Sequence, residues 1–254
     1  MNEWDQRYDR AEYVYGTEPN DFLREHIARI PKGPVLCLAD GEGRNSVFLA
    51  KQGFEVTSID FSEVGLEKAN RLAADHGVSI NTVCANLSEY TFETGAWSGI
   101  VSIFCHLPHP VRHHVYQQIE PALSPGGAFL LEAYAPRQLE FGTGGPPTLE
   151  MLPEMERLRE ELGQLNYELI HELDREVVEG SLHTGLAAGV MLGTSSSMTF
   201  AANANEEIGV GLIGAFAASR IRRVASMIEG QPEYILLDEQ LIVFDKVLAC
   251  AKSG

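Results

Sequence analysis

The sequence predicts an α/β fold: a mostly parallel sheet with helices on both faces and an antiparallel hairpin at one edge. Three observations carry this expectation. Apolar runs alternate with helical segments between residues 34 and 134, the first run breaks into the glycine turn "ADGEGRN", and two long extended segments flank Gly180. Taken in order, "NDFLREHIARI" places Phe22, Leu23, Ile27 and Ile30 at helical spacing before "PKGP" stops the helix. "PVLCLA" reads as a buried strand, "GRNSVFLAKQG" as a helix closed by Gly53, and "EVTSID" as a second strand. A helix with Ser62 as N-cap follows, then strands in "SINTVCAN" and "SGIVSIFCHL", a helix through "HPVRHHVYQQIEPAL" and the strand "AFLLEAYA" after the turn "SPGG". The loop "FGTGGPPTLEMLPEMERLREELG" reads as a substrate-facing insertion with a charged helix before the hairpin.

The chain has 254 residues and 44% apolar content, enough for one sizeable core, and no repeat of fixed period. Lys and Arg total 19 against 36 Asp and Glu, a formal charge of −17 that repels phosphate backbones and acidic membrane surfaces. Nucleic acid and membrane are therefore not expected as partners, and no apolar run reaches the ~18 residues of a membrane span. Cys37, Cys84, Cys105 and Cys250 show no CxxC spacing, and "MNEWDQRYDR" lacks the apolar stretch of a signal peptide, so a reducing cytoplasm is the expected location.

A glycine turn after the first strand of such a sheet holds its ligand outside the strand's carboxyl end. Gly41 and Gly43 fit the dinucleotide pattern GxGxxG, but Ser46 stands at its third position. Asp60 ends the second strand, where its carboxylate accepts ribose hydroxyls, a need shared by nicotinamide dinucleotides and S-adenosylmethionine. The second mononucleotide-binding half of a dinucleotide fold is missing, because the fifth strand leads to a helix and a hairpin.

The segments "VLCLADGEGRNSVFLAKQGFEVTSIDFS", "IVSIFCHLP", "LSPGGAFLLEAY" and "VVEGSLHTGLAA" together resemble a class I S-adenosylmethionine-dependent methyltransferase with a Rossmann-like sheet. The nearest kin are the tellurite-resistance and thiopurine-type methyltransferases, and "WDQRYDRAEYVYGTEPNDFL" resembles the segment capping their cofactor pocket. The resemblance covers residues 4 to about 190 and implies S-adenosylmethionine as cofactor. It assigns the cofactor to Ala39, Asp40, Gly41, Gly43 and Arg44 in the glycine turn, with Asp60 and Phe61 at the second strand's end. Asn86 and Leu87 follow the third strand, and Phe104 ends the fourth. Asn86 replaces the family's usual aspartate, and Cys37 stands where many relatives carry an acid.

His106, at the carboxyl end of the fourth strand, is the candidate catalytic base or acceptor hydrogen-bonder, against a capping or structural role. His109 and His113 share a helix face without a full ligand set, so no metal is expected. Arg7 and Tyr15, with Trp4 and Tyr13, are candidates for a lid over cofactor and acceptor. "CHLP" replaces the "DPPY" or "NPPY" expected of a base-modifying amino-methyltransferase, and no Cys follows a Pro. The expected domains are a methyltransferase domain over 1–195 and an extension over 196–254 that carries no functional motif; a homodimer is one expectation for the partner. Transfer of methyl to a small thiol, metalloid oxyanion, halide, amine or hydroxyl acceptor leads. A non-catalytic S-adenosylmethionine-binding regulator and, more weakly, an NAD(P)-dependent oxidoreductase stand as alternatives.

Overall fold

The structure is a computed structural model whose described residues are 2–163 and 165–196. The extension expected from residue 196 lies outside them, apart from Ser196. Seven strands form one sheet in the order β3-β2-β1-β4-β5-β7-β6. β1 (Pro34–Leu38), β2 (Glu55–Asp60), β3 (Asn81–Cys84), β4 (Trp97–Ile103) and β5 (Leu123–Tyr134) run parallel. β6 (Asn166–Glu179) and β7 (His183–Ser195) form the hairpin, and β7 pairs antiparallel to β5. This is the architecture the alternation predicts.

Period-two alternation along β1 sends Leu36 and Leu38 to one face and Val35 and Cys37 to the other. The first face packs on α5 (His109–Ala122) through Val115, Tyr116 and Ile119, and on α6 (Met155–Glu161) through Leu158. The second meets α2 (Asp21–His26) through Phe22 and Leu23, and α3 (Arg44–Lys51) through Leu49. Each such fully buried Leu, Ile or Phe stabilises the fold by about 2 kcal/mol. Ser62 caps α4 (Glu63–Asp75), accepting from the Gly65 N–H at 3.0 Å. The helix expected through "NDFLREHIARI" is shorter: α2 ends at His26 and a 3₁₀ turn, Ile27–Arg29, finishes the segment.

Two features cover the carboxyl edge of the sheet. The β6–β7 hairpin runs beyond Tyr134, whose partner on β7 is Gly189, so Glu179 and His183 overhang that edge. The N-terminal segment lies there too: the Ser181 N–H donates to the Val14 carbonyl at 2.9 Å, and the packing leaves no room for a side chain at Gly180. No helix among the described residues is long and apolar enough to cross a membrane.

Candidate active site

β1 and β4 are neighbours whose connections leave in opposite directions, so the crevice at their carboxyl ends is the sheet's switch point. Both strands end in strained backbone. Ala39 (φ 49°) and Phe104 (φ 51°) are the two non-glycine described residues with positive φ, and they stand on either lip.

On the first lip the turn passes through Gly41 (φ 57°) and Gly43 (φ 87°) into α3. A Cβ at Gly43 would lie 2.5 Å from the Cβ of Ala69, so this glycine lets α4 approach the turn; one at Gly41 would strike the Tyr8 hydroxyl. Asp60 braces the turn. Its Oδ2 accepts from the Gly41 N–H and its Oδ1 from the Ser62 N–H, both at 2.8 Å. Burial raises its pKa, and the Ser62, Gly41 and Phe61 N–H groups oppose the shift. Asp40 is pushed up to about 6 by burial, which the Ser46 side chain and N–H oppose; the Ser46 N–H and the Ser58 hydroxyl each donate to it at 3.3 Å.

The N-terminal segment is fastened over this turn. α1 (Glu3–Tyr8) is tied to α4 by the Ser62 hydroxyl, which donates to Asp5 at 2.7 Å. Lys68, buried in α4, pairs with Glu42 and donates to the carbonyls of Arg10 at 3.0 Å and Glu12 at 2.6 Å. Glu42 in turn accepts from the Val14 N–H at 2.7 Å. Arg7 lies over Trp4 and donates to the Tyr15 hydroxyl at 3.1 Å, so the two lid candidates meet.

The second lip is aromatic. Phe104, Tyr134 and Tyr15 surround His183, with ring centroids 4.7, 5.5 and 4.6 Å from it. His106 stacks on Tyr134, and its Nε2 accepts from the Tyr134 N–H at 2.9 Å. That bond fixes the neutral tautomer with hydrogen on Nδ1 and occupies the lone pair a base needs. Burial holds the His106 pKa down to about 4, and the Phe104 carbonyl opposes this. His183 falls to about 3 through burial and the nearby Arg44, His106 and Arg7.

Behind both lips runs a buried polar network. Asn20 donates to Glu132 at 2.6 Å and Glu179 at 2.9 Å, Arg175 pairs with Glu132 at 2.7 Å, and Arg44 donates to Glu179 at 2.6 Å. It joins glycine turn, hairpin and N-terminal segment into one unit. Sequence reasoning missed this network and His183. Asn20 before a helical run was a visible N-cap signal, but no spacing announces its partners on β5 and β6. His109 faces Glu161 at 3.4 Å, yet both oxygens of that carboxylate are held by Arg112. Among the described residues no three metal-ligating side chains cluster.

Fold and crevice define the class: this is the Rossmann-like sheet of class I methyltransferases. Residues 35–127 match the family described as methyltransferase domain. Solved structures agree in fold. A protein from the conversion of a disulfide bond into a thioacetal group during echinomycin biosynthesis is 16% identical, covering 86% of this chain and 97% of its own at TM-score 0.61. TehB from Haemophilus influenzae is 18% identical, covering 70% and 62% at 0.58. A glycopeptide N-methyltransferase, MtfA, complexed with S-adenosylmethionine is 18% identical, covering 72% and 89% at 0.51. No curated protein sequence matches the chain.

S-adenosylmethionine is the cofactor of this class, and the residues present fit it. Phe61, beside Asp60, is 49% exposed, an apolar face of the kind an adenine ring covers. The Asp60 carboxylate, with about four lone-pair sites, takes the Gly41, Ser62 and Phe61 N–H groups and keeps one for a ribose hydroxyl. Leu87 is buried below, while Asn86 is exposed with its Oδ1 accepting from the Ser88 N–H at 3.0 Å, one lone pair remaining.

Proposed function

We propose that the chain binds S-adenosylmethionine along the glycine turn and transfers its methyl group to a small-molecule acceptor at the Phe104 lip. Asp60 holds the ribose, Phe61 and Leu87 flank the adenine, Asn86 accepts from its amino group, and Ala39 to Arg44 border the methionine part. When bound, the cofactor supplies an electrophilic methyl carbon: the acceptor's lone pair forms the new bond as the carbon–sulfur bond breaks onto sulfur, erasing the sulfonium charge. The lid of Arg7 and Tyr15 excludes water, which strengthens every electrostatic interaction inside.

One observation directs the choice of acceptor. The His106 Nε2 is engaged, and the nearby carboxylates Glu132 and Glu179 are held by Arg175, Asn20 and Arg44. His183, held down to about 3, is too weak a base to take a proton near neutral pH, so the reading favours an acceptor that arrives as a nucleophile: a thiolate, halide or metalloid oxyanion. His106 then positions Tyr134 and Phe104 rather than moving a proton. The resemblance to tellurite-resistance and thiopurine-type methyltransferases supports the same classes.

Incubating the full chain with labelled S-adenosylmethionine and a panel of thiols, halides, metalloid oxyanions and amines tests this. Methylated product is expected from the anionic members first. Turnover of amines alone would overturn the assignment of acceptor class, and turnover of none would favour a regulatory binding protein.

A further inference from the structure

Two buried nitrogens beside the acceptor lip lack partners, and they come from distant parts of the chain. Arg44 opens α3 with a side chain only 8% exposed; its Nη2 donates to Glu179, while its Nη1 is buried with no partner. His183 opens β7, is 12% exposed, and carries a buried Nδ1 with no hydrogen bond, 4.0 Å from that same Glu179 oxygen. Buried polar groups are nearly always paired, so two orphans converging on one carboxylate point to a ligand.

The surroundings limit what that ligand is. Arg175 is matched by Glu132, and Arg44 by Glu179. Arg7 has the Tyr15 hydroxyl and the Trp4 ring but no carboxylate within ion-pair distance among the described residues, which places a positive charge at the outer rim. The rings of Tyr15 and Phe104 close against His183 and make the wall apolar. Asp40 also offsets Arg44, so the positive charge on offer is at most that of Arg7; with an unused guanidinium N–H and aromatic walls, this suits a small, polarisable monoanion better than an amine or a dianion.

We propose that Arg44 Nη1, His183 Nδ1 and the Arg7–Tyr15 pair form a subsite for a small monovalent anion, the methyl acceptor itself. This rests on the methyl-transfer reading and assigns two residues to acceptor recognition, Arg44 and His183, the first read from the sequence as a cofactor contact. His183 presents a neutral imidazole, so Arg44 and Arg7 carry the charge recognition and His183 contributes one directional hydrogen bond.

Calorimetric titration of the full chain with sodium iodide and sodium thiocyanate, at fixed ionic strength and with or without saturating S-adenosylhomocysteine, tests the subsite. One anion per chain is expected. His183→Phe, which keeps a ring there, is expected to weaken it tenfold or more while leaving S-adenosylhomocysteine affinity within twofold, and Arg44→Lys, which keeps the charge beside Glu179, is expected to weaken anion binding by a similar factor. Absence of saturable anion binding, or unchanged affinity in the His183→Phe chain, overturns the proposal. Equal loss of S-adenosylhomocysteine in both variants overturns it too, assigning these groups to the cofactor's carboxylate. A chain that binds the anion but no S-adenosylhomocysteine keeps the site and loses the acceptor role, which separates this failure from that of the methyl-transfer reading.

Discussion

On one lip of the crevice, Ala39 to Arg44, Asp60 and Phe61 come from a single strand–helix–strand unit; on the other, Tyr15, Phe104, Tyr134 and His183 come from separate parts of the chain. The first lip is set by backbone: positive φ at Ala39, Gly41 and Gly43, and the N–H groups that donate to Asp60. The second is set by stacked side chains whose relation depends on how β7 pairs with β5. A local unit of this kind constrains its ligand through main-chain geometry and so stays the same for one cofactor. An assembly of side chains changes with each substitution, which suits an acceptor site.

The largest effect is expected where the lid meets the glycine turn. Lys68→Met leaves Glu42 as an uncompensated buried charge and frees three main-chain carbonyls; a loss of about 4 kcal/mol in denaturant unfolding is expected. Adding Glu42→Gln should return part of it, and a double variant no more stable than the single one would refute the pairing.

Gly43→Ala comes next. Its Cβ would enter Ala69 in a left-handed backbone, which costs about 3 kcal/mol from overpacking and strain combined. Unfolding curves check this; a near-neutral change would mean that the turn and α4 are not in close contact.

On the aromatic lip, His106→Gln keeps an acceptor for the Tyr134 N–H but no imidazole. Less than a tenfold fall in kcat is expected. A fall of about 10²-fold or more, the scale of a lost general base, would return His106 to proton transfer.

These two lips also divide what was legible in the sequence. The strand and helix order, the Ser62 cap, the hairpin around Gly180 and the crevice position follow from local periodicity and turn chemistry, and the structure has them. Arg7 meets Tyr15 through one hydrogen bond, a contact that spacing alone did not announce. His183 and the Asn20–Glu132–Glu179–Arg44 network were not legible, because each bond joins residues more than a hundred positions apart. The close approach of Ala69 to Gly43 was not legible either, since a helix packed from behind leaves no mark in the turn's own sequence.

A smaller effect separates the lips by pH. Asp40 titrates near 6 because burial disfavours its charge; Asp60 adds to this and Arg44 opposes it. Its ionised form attracts a cationic cofactor, so S-adenosylmethionine affinity is expected to rise from pH 5 to pH 7 with a midpoint near 6. In the Asp40→Asn chain that rise should vanish, whereas anion binding on the aromatic lip keeps its own profile.

Ala39→Gly is the mildest change. Relief of the left-handed alanine exceeds glycine's unfolded-state entropy by about 0.5 kcal/mol, seen as a small gain in stability. A loss would mean that the alanine methyl packs productively in the crevice.

The central claim is that the glycine turn, Asp60 and Phe61 hold S-adenosylmethionine. Calorimetric titration of the full chain with S-adenosylmethionine, S-adenosylhomocysteine and NAD addresses it most directly. One equivalent of each sulfur cofactor per chain, with NAD weaker or silent, is the expected result. Folded protein that gives no heat with either at millimolar concentration, or that prefers NAD, would contradict it.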